Sequence, residues 1–223
     1  MKIKHIQLRS TGSTNDDAKA LLKAGEKAPF LLTADEQTAG RGTHGRSFLS
    51  PEGGLYMSLV LPVDSVADSV YFTSLAAVAV CEVLRENEKI DAKIKWINDI
   101  LLDGKKLVGI LCESVFSDSG AGSIVVGIGV NCKKTVFPPE LAGKAASYDG
   151  SDPVLLSRLI TDRIAALVKS EKAAVLEKYR ALCVTVGQTV DHGGRKMKAV
   201  GVDENFGLIV TDGKDTFIKR NAE

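Results

Sequence analysis

Cysteine and histidine are too sparse and too scattered to build a metal centre or a disulfide framework. Cys81, Cys112, Cys132 and Cys183 lie far apart with no C-x-x-C spacing, and His5, His44 and His192 are equally dispersed, so thiolate and imidazole clusters of ligand spacing are excluded. An excess of charge of one sign is also missing. With 29 Lys and Arg against 28 Asp and Glu, a formal +1, no global field draws in nucleic acid or an anionic membrane, and affinity for anions has to be local. No apolar run reaches the length of a membrane span, and Met1 to Ile6 carries charge where a secretory leader would be apolar. The chain reads as a cytoplasmic protein with neither nucleic acid nor membrane as partner. Internal repeats and low-complexity segments are absent as well.

What is present suffices for one full hydrophobic core and a small appendage in 223 residues. Lys2 to Leu8 alternates polar and apolar and predicts a strand, broken at Ser10-Thr11-Gly12-Ser13. Thr14 then opens a helix. Thr14 and Asp17 have capping-box spacing in its acidic form, and Ala18, Leu21 and Leu22 supply a buried face. Ser13, Thr14 and Asn15 also have a second reading, as hydrogen-bonding side chains for a ligand. Pro29 to Ala34 and Leu55 to Leu61 read as strands, and Ala67 to Arg85 as a buried helix. Ile90 to Ile94, Ile100 to Leu102 and Lys105 to Glu113 read as strands joined by tight turns, hence antiparallel. Ser123 to Cys132 is a further strand interrupted by Gly127 and Gly129, where either a bulge or close packing against bare backbone is expected. Residues 133–151 read as a loop, followed by helices from Pro153 to Ser170 and from Glu171 to Leu182. From Val184 short β-like runs predict a small barrel, placing the domain boundary near Cys183.

The segment Gly40 to Gly54, which opens Gly40-Arg41-Gly42-Thr43-His44-Gly45-Arg46, combines glycines that let backbone amides approach an anion with arginines that offer planar forks to carboxylate or phosphate. Gly40, Gly42 and Gly45 also spell G-x-G-x-x-G. No helix opens behind them, as a dinucleotide site would need, because Leu55 to Leu61 reads as a strand. A kinase loop is excluded by the absence of His-Arg-Asp and Asp-Phe-Gly motifs. Lys95, at a predicted strand end before the only tryptophan, reads by itself as a solvated lysine.

Taken in order, the motifs say more. Ser13-Thr14-Asn15, Gln37, Ala39-Gly40-Arg41-Gly42, Gly45-Arg46, Ser50-Pro51, Gly54-Leu55-Tyr56, Lys95-Trp96-x-Asn98-Asp99, Lys106-Leu107-x-Gly109-Ile110-Leu111-x-Glu113 and Gly127-x-Gly129-x-Asn131 resemble the biotin–protein ligases over nearly the whole chain. The resemblance implies an α+β fold: a catalytic domain over 1–182 similar to class II aminoacyl-tRNA synthetases, with a mixed, mostly antiparallel sheet, and an SH3-like barrel over 183–223. It implies activation of biotin by Mg-ATP to biotinyl-5′-AMP and transfer to a lysine of the biotin carrier domain of a carboxylase, by a monomer or homodimer.

By the same resemblance, Ser13, Thr14, Asn15 and Gln37 meet the ureido end of biotin. Arg41, Gly42, Thr43, Tyr56, Gly127 and Gly129 complete its site, and Arg46, Phe48, Asn98 and Asn131 serve ATP. Arg41 and Lys95 are expected to converge on one pocket as the catalytic cations, and Asp99 or Glu113 is open as a Mg²⁺ ligand without a choice between them. The chain departs from the family where arginine is common at Thr43, tryptophan at Phe48 and proline at Ile97. Losing a guanidinium at Thr43 is expected to weaken retention of the adenylate. No helix-turn-helix domain precedes Met1, so operator binding is not expected. The rival readings are a lipoate– or octanoyl–protein ligase and a non-catalytic biotin-sensing protein.

Overall fold

Seven strands, β1 (Lys4–Thr11), β2 (Phe30–Gln37), β3 (Leu55–Val63), β4 (Lys93–Lys95), β5 (Asp99–Leu102), β6 (Lys105–Phe116) and β7 (Gly122–Val130), form one sheet in the order β1-β2-β3-β7-β6-β5-β4. The β1–β2 pair is parallel and the pairs β2–β3, β3–β7, β7–β6, β6–β5 and β5–β4 are antiparallel. The structure is a computed structural model describing residues 3–63, 69–116 and 122–220; Met1, Lys2, residues 67–68 of the anticipated helix and Asn221–Glu223 lie outside them.

The pleat sorts each strand's residues between two faces. Leu55, Met57, Leu59 and Leu61 of β3, Val108 and Ile110 of β6, and Ile124, Val126, Ile128 and Val130 of β7 join one core with the helices α2 (Ser69–Asn87), α4 (Pro153–Leu167) and α5 (Lys172–Leu182). The apolar content of α2 explains its place: its residues from Thr73 to Cys81 are all buried. On the opposite face α1 (Thr14–Lys23) covers less of the sheet, packing Ala18 on Phe30, Val60 and Val125.

A second sheet of four antiparallel strands, β8 (Thr189–His192), β9 (Arg195–Val202), β10 (Leu208–Thr211) and β11 (Thr216–Lys219), follows in the order β11-β10-β9-β8. Its Met197, Ala199, Val202, Phe206, Leu208 and Val210 belong to the same core as the large sheet. Trp96 Nε1 donates to Phe206 O at 2.8 Å, and Tyr179 packs edge-on against the Phe206 ring.

Several boundaries differ from the sequence expectation for local reasons. The strand expected over Ile90–Ile94 is β4, which begins at Lys93, because Lys89 takes a left-handed φ of 58° and the Ile90 amide reaches back to Leu84 O to close α2. β1 runs on to Thr11, paired with Gln37. Within the expected loop 133–151 a single turn, α3 (Pro139–Ala142), starts at the second proline, where a missing N–H costs nothing.

Candidate active site

Gly109 of β6 and Gly129 of β7 are register partners on the face opposite α2, and Gly127 lies two residues along the same face. The register is unbroken across them, so they are not a bulge. They are bare because other groups press on them: a Cβ on Gly129 would stand 2.6 Å from the Phe48 ring, one on Gly109 2.9 Å from the same ring, and one on Gly127 2.1 Å from Asn15 Oδ1. These glycines floor a recess lined by polar, cationic and apolar side chains.

The start of α1 forms one wall. Ser13, Thr14 and Asn15 are all buried. The Thr14 amide and hydroxyl both donate to Gln37 Oε1 (2.9 and 3.1 Å), and Gln37 Nε2 donates to Ser50 Oγ (2.9 Å). Ser58 Oγ lies within hydrogen-bonding distance of Thr14 Oγ1 (2.9 Å) and Asn15 Oδ1 (2.7 Å), while Asn15 Nδ2 donates to Leu111 O and Glu113 Oε2. This network corrects the capping-box expectation. No side chain caps α1, and Asp17 instead accepts from the Thr11 hydroxyl. Buried polar groups must be paired, so Thr14 is committed to Gln37 and Ser58 rather than to its own helix.

The glycine segment is a narrow hairpin: the Phe48 amide donates to Gly40 O (2.8 Å) and the Gly42 amide to Arg46 O (2.7 Å). Its tip is a 3-10 turn over Thr43–Gly45, with His44 and Gly45 left-handed at φ 57° and 72°. Of Gly40, Gly42 and Gly45, that conformation is needed at Gly45; Gly40 is required for space, since a Cβ there would meet Phe48 O at 2.4 Å. Arg41 leaves the hairpin to reach Asp16 (Nη1 to Oδ1, 2.5 Å) and Glu113 (Nη2 to Oε1, 3.2 Å), and Lys19 Nζ contacts the same two carboxylates at 2.9 Å each. Partial burial pushes both carboxyls up, but their hydrogen bonds and opposite charges outweigh it and hold them below the usual 3.8 and 4.5.

Among the expected site residues, Ser13, Thr14, Asn15, Gln37, Arg41, Gly42, Thr43, Phe48, Asn98, Gly127 and Gly129 line this recess. Lys95 does not. Lys95, Asp99, Gly109 and Gly129 form one row across four strands, which leaves Lys95 on the correct face but at the sheet edge, two interstrand steps or about 10 Å from Gly109. It lines an adjoining cleft with Arg46, Thr185, Asp191 and Lys219, separated from the recess by Asn98, which lines both. Arg41 and Lys95 thus line adjoining cavities that share Asn98, and the lysine lining Arg41's recess is Lys106. Its Nζ pairs with Asp99 at 2.6 Å and stands 5.8 Å from the Phe48 ring centroid. The signal for Lys106 is its place three residues before Gly109, at the head of the motif that ends in Glu113.

Three other expected residues are displaced from the recess by their own bonds. Tyr56 is buried with its hydroxyl donating to Pro51 O (2.8 Å), and burial pushes its phenol well up. Asn131 Nδ2 donates to Ala146 O (2.9 Å), tying down the segment after β7. Arg46 turns back onto Thr43, donating to its carbonyl (3.2 Å) and hydroxyl (2.9 Å).

The pattern of the Biotin/lipoate A/B protein ligase family matches residues 7–131, which include the polar wall, the arginine hairpin and the glycine floor. The chain belongs to that family. Among its relatives, a bifunctional ligase/repressor BirA of Bacillus subtilis is 42% identical over 139 residues, 60% of this chain and 43% of that protein. The chain thus spans less than half the length of this relative. A biotin--[acetyl-CoA-carboxylase] ligase of Mycobacterium tuberculosis is 31% identical over 195 residues, 81% of this chain and 71% of that one. The biotin protein ligase of Aquifex aeolicus in complex with biotin and ATP superposes with a TM-score of 0.81 at 26% identity, covering 96% of this chain and 94% of that chain.

Proposed function

We propose that the protein is an ATP-dependent biotin–protein ligase, acting on the carrier domain of a biotin-dependent carboxylase. The observation that carries this reading is the single recess in which a paired polar wall, a bare glycine floor and the cations Arg41 and Lys106 meet. The relatives' names and the bound biotin and ATP of the Aquifex structure point the same way. In the proposed reaction a biotin carboxylate oxygen attacks the α-phosphorus of ATP, and the α–β bridging P–O bond breaks to release pyrophosphate. The ε-amine of the acceptor lysine then attacks the acyl carbon, loses a proton, and expels AMP as the C–O bond breaks.

Both first-step reactants are anions, so their approach has to be offset by fixed positive charge in a low-dielectric site. Lys106 and Arg41 take that role. Ser13, Thr14, Asn15 and Gln37 form the paired polar wall that meets the ureido group, and the glycine floor seats the Phe48 ring and the Asn15 amide beside the ligand where any Cβ would intrude. Phe48 offers its ring to the purine, Asn98 spans recess and cleft, and Arg46 with Lys95 in the adjoining cleft receives the departing pyrophosphate. Tyr56 and Asn131 act as positioning residues.

ATP brings Mg²⁺ into this reading, but the residues present do not build a cage for it. Among the described residues no group of three His, Cys, Asp or Glu side chains is placed to hold a metal, and Asp99 and Glu113 are each taken by cations. The ion fits as one carried on the triphosphate with its waters. At the finer level, we read residues 1–182 as a class II synthetase-like catalytic domain and 183–223 as an SH3-like one. The test is mass spectrometry of a carrier domain incubated with enzyme, ATP and biotin: one added biotinyl group is expected, and an unmodified carrier at complete ATP and biotin supply contradicts the assignment.

A further inference from the structure

Three charged side chains behind the recess, in contact with its lining residues Arg41 and Asn15 or with each other, take no part in the proposed reaction: Asp16 and Lys19 of α1 and Glu113 of β6. With Arg41 they form a closed ring of alternating charge, in which each carboxylate contacts both cations and each cation both carboxylates, at 2.5–3.2 Å. An isolated exposed ion pair contributes little, but a network with repeated partners and limited side-chain freedom is a different case. Asp16 is the most open member, its side chain 50% exposed, and Glu113 the least, at 21%.

The ring joins three elements that the backbone does not join at that point. The base of the hairpin is tied to β1 by the Thr38 and Ala39 amides, which donate to Thr11 O and Gly12 O. Beyond Ala39, the amides of Gly42, Arg46 and Phe48 bond within the hairpin itself. The Phe48 ring rests on β6 and β7 at one end of the hairpin, and the Arg41 side chain ties its other strand to α1 and β6 by ion pairs, across the recess that Arg41 and Asn15 both line. Glu113 also accepts from Asn15 Nδ2 at 2.8 Å, so the ring is continuous with the polar wall.

We propose that Asp16 and Glu113, linked by Lys19, are positioning residues that latch the arginine hairpin over the recess and thereby set how fast a bound ligand escapes. Naming biotin as that ligand rests on the reading above; the latch itself does not. Asp17, the next residue of the same helical turn, contacts Thr11 and serves as the control, because its loss removes the same helix-start charge without touching the hairpin.

The experiment is hydrogen exchange over residues 40–48 in the ligand-free protein, with biotin dissociation measured in parallel. Asp16→Asn removes two ion pairs and is expected to raise hairpin exchange and the biotin off-rate on the order of tenfold. Glu113→Gln is expected to do the same, Asp16→Glu to restore slow exchange, and Asp17→Asn to leave the hairpin unchanged. High salt should speed wild-type exchange more than that of Asp16→Asn, which keeps only the two Glu113 pairs. Hairpin exchange in Asp16→Asn equal to wild type, or raised equally in Asp17→Asn, overturns the latch. A wild type that never releases pyrophosphate overturns the ligase reading instead, and the exchange data still decide the latch.

Discussion

Lys95 and Lys106 both flank the Asp99 row, Lys95 as its register partner across β4–β5 and Lys106 through an ion pair, and a sequence motif makes Lys95 the more conspicuous of the two. Reach separates them. Only Lys106 extends into the recess, so Lys106→Ala should lower biotin-dependent pyrophosphate release by about 10²–10³-fold, the cost of one electrostatic donor. Lys95→Ala should change it by less than about tenfold, through weaker contact with the leaving group. Comparing the two rates checks the assignment, and a larger loss for Lys95→Ala would reverse it. Thr43 lines the recess with Arg46 folded onto it, and a guanidinium there would give the acyl phosphate a second cation. Thr43→Arg is accordingly expected to reduce biotin labelling of a bystander protein lacking a carrier domain. Equal labelling by the two enzymes would detach Thr43 from retention. At this scale the polar wall and the glycines stood out only through the order of motifs, because Ser13-Thr14-Asn15 alone also reads as a helix start and Gly127 and Gly129 alone also read as a bulge. Lys106 did not, since nothing in the chain states that a bulge between Ile100 and Leu101 offsets β5 against β6 beside it.

The elements around the recess gain stability from the charge ring in a pH-dependent way. Asp16 and Glu113 have carboxyls held below their usual values, so the ring's contribution is present above those values and disappears as pH falls through the lower folded-state ones. The expected outcome is that wild type loses stability more steeply than Asp16→Asn as pH drops below about 4, checked by thermal unfolding across that window. Parallel curves would mean the ring adds nothing at this scale. Helices and most strands could be read from periodicity, with ends displaced where a backbone group found another partner. The amide of Ile90 closing α2 is one case and the Thr11–Gln37 pairing that extends β1 is another. The first is a local capping choice and the second a pairing with a distant segment, and hydrophobic periodicity encodes neither.

For the whole molecule, the two sheets share one core rather than meeting at a wet boundary. Trp96, just past the end of β4, donates its indole N–H to Phe206 O and its backbone amide to Thr185 Oγ1 at 2.7 Å, and the Tyr179 hydroxyl donates to Ile97 O. Trp96→Phe leaves a buried carbonyl unpaired and should cost about 1–3 kcal/mol. Followed by far-ultraviolet circular dichroism, unfolding should remain a single transition shifted to lower temperature; separate transitions for the two sheets would contradict the shared core. The composition change near Val184 announced the second sheet, but not its fusion with the first, which is made by Trp96 and Phe206, 110 residues apart in the chain.

The central claim is that one recess brings biotin's carboxylate to the α-phosphate of ATP between Arg41 and Lys106. Its most direct test is pyrophosphate release from ATP before any carrier is added, with biotin or lipoate as the acid. Rapid release with biotin, little with lipoate, and collapse of the biotin signal in Lys106→Ala are predicted. Release that is indifferent to biotin, or that is supported by lipoate instead, would contradict the account.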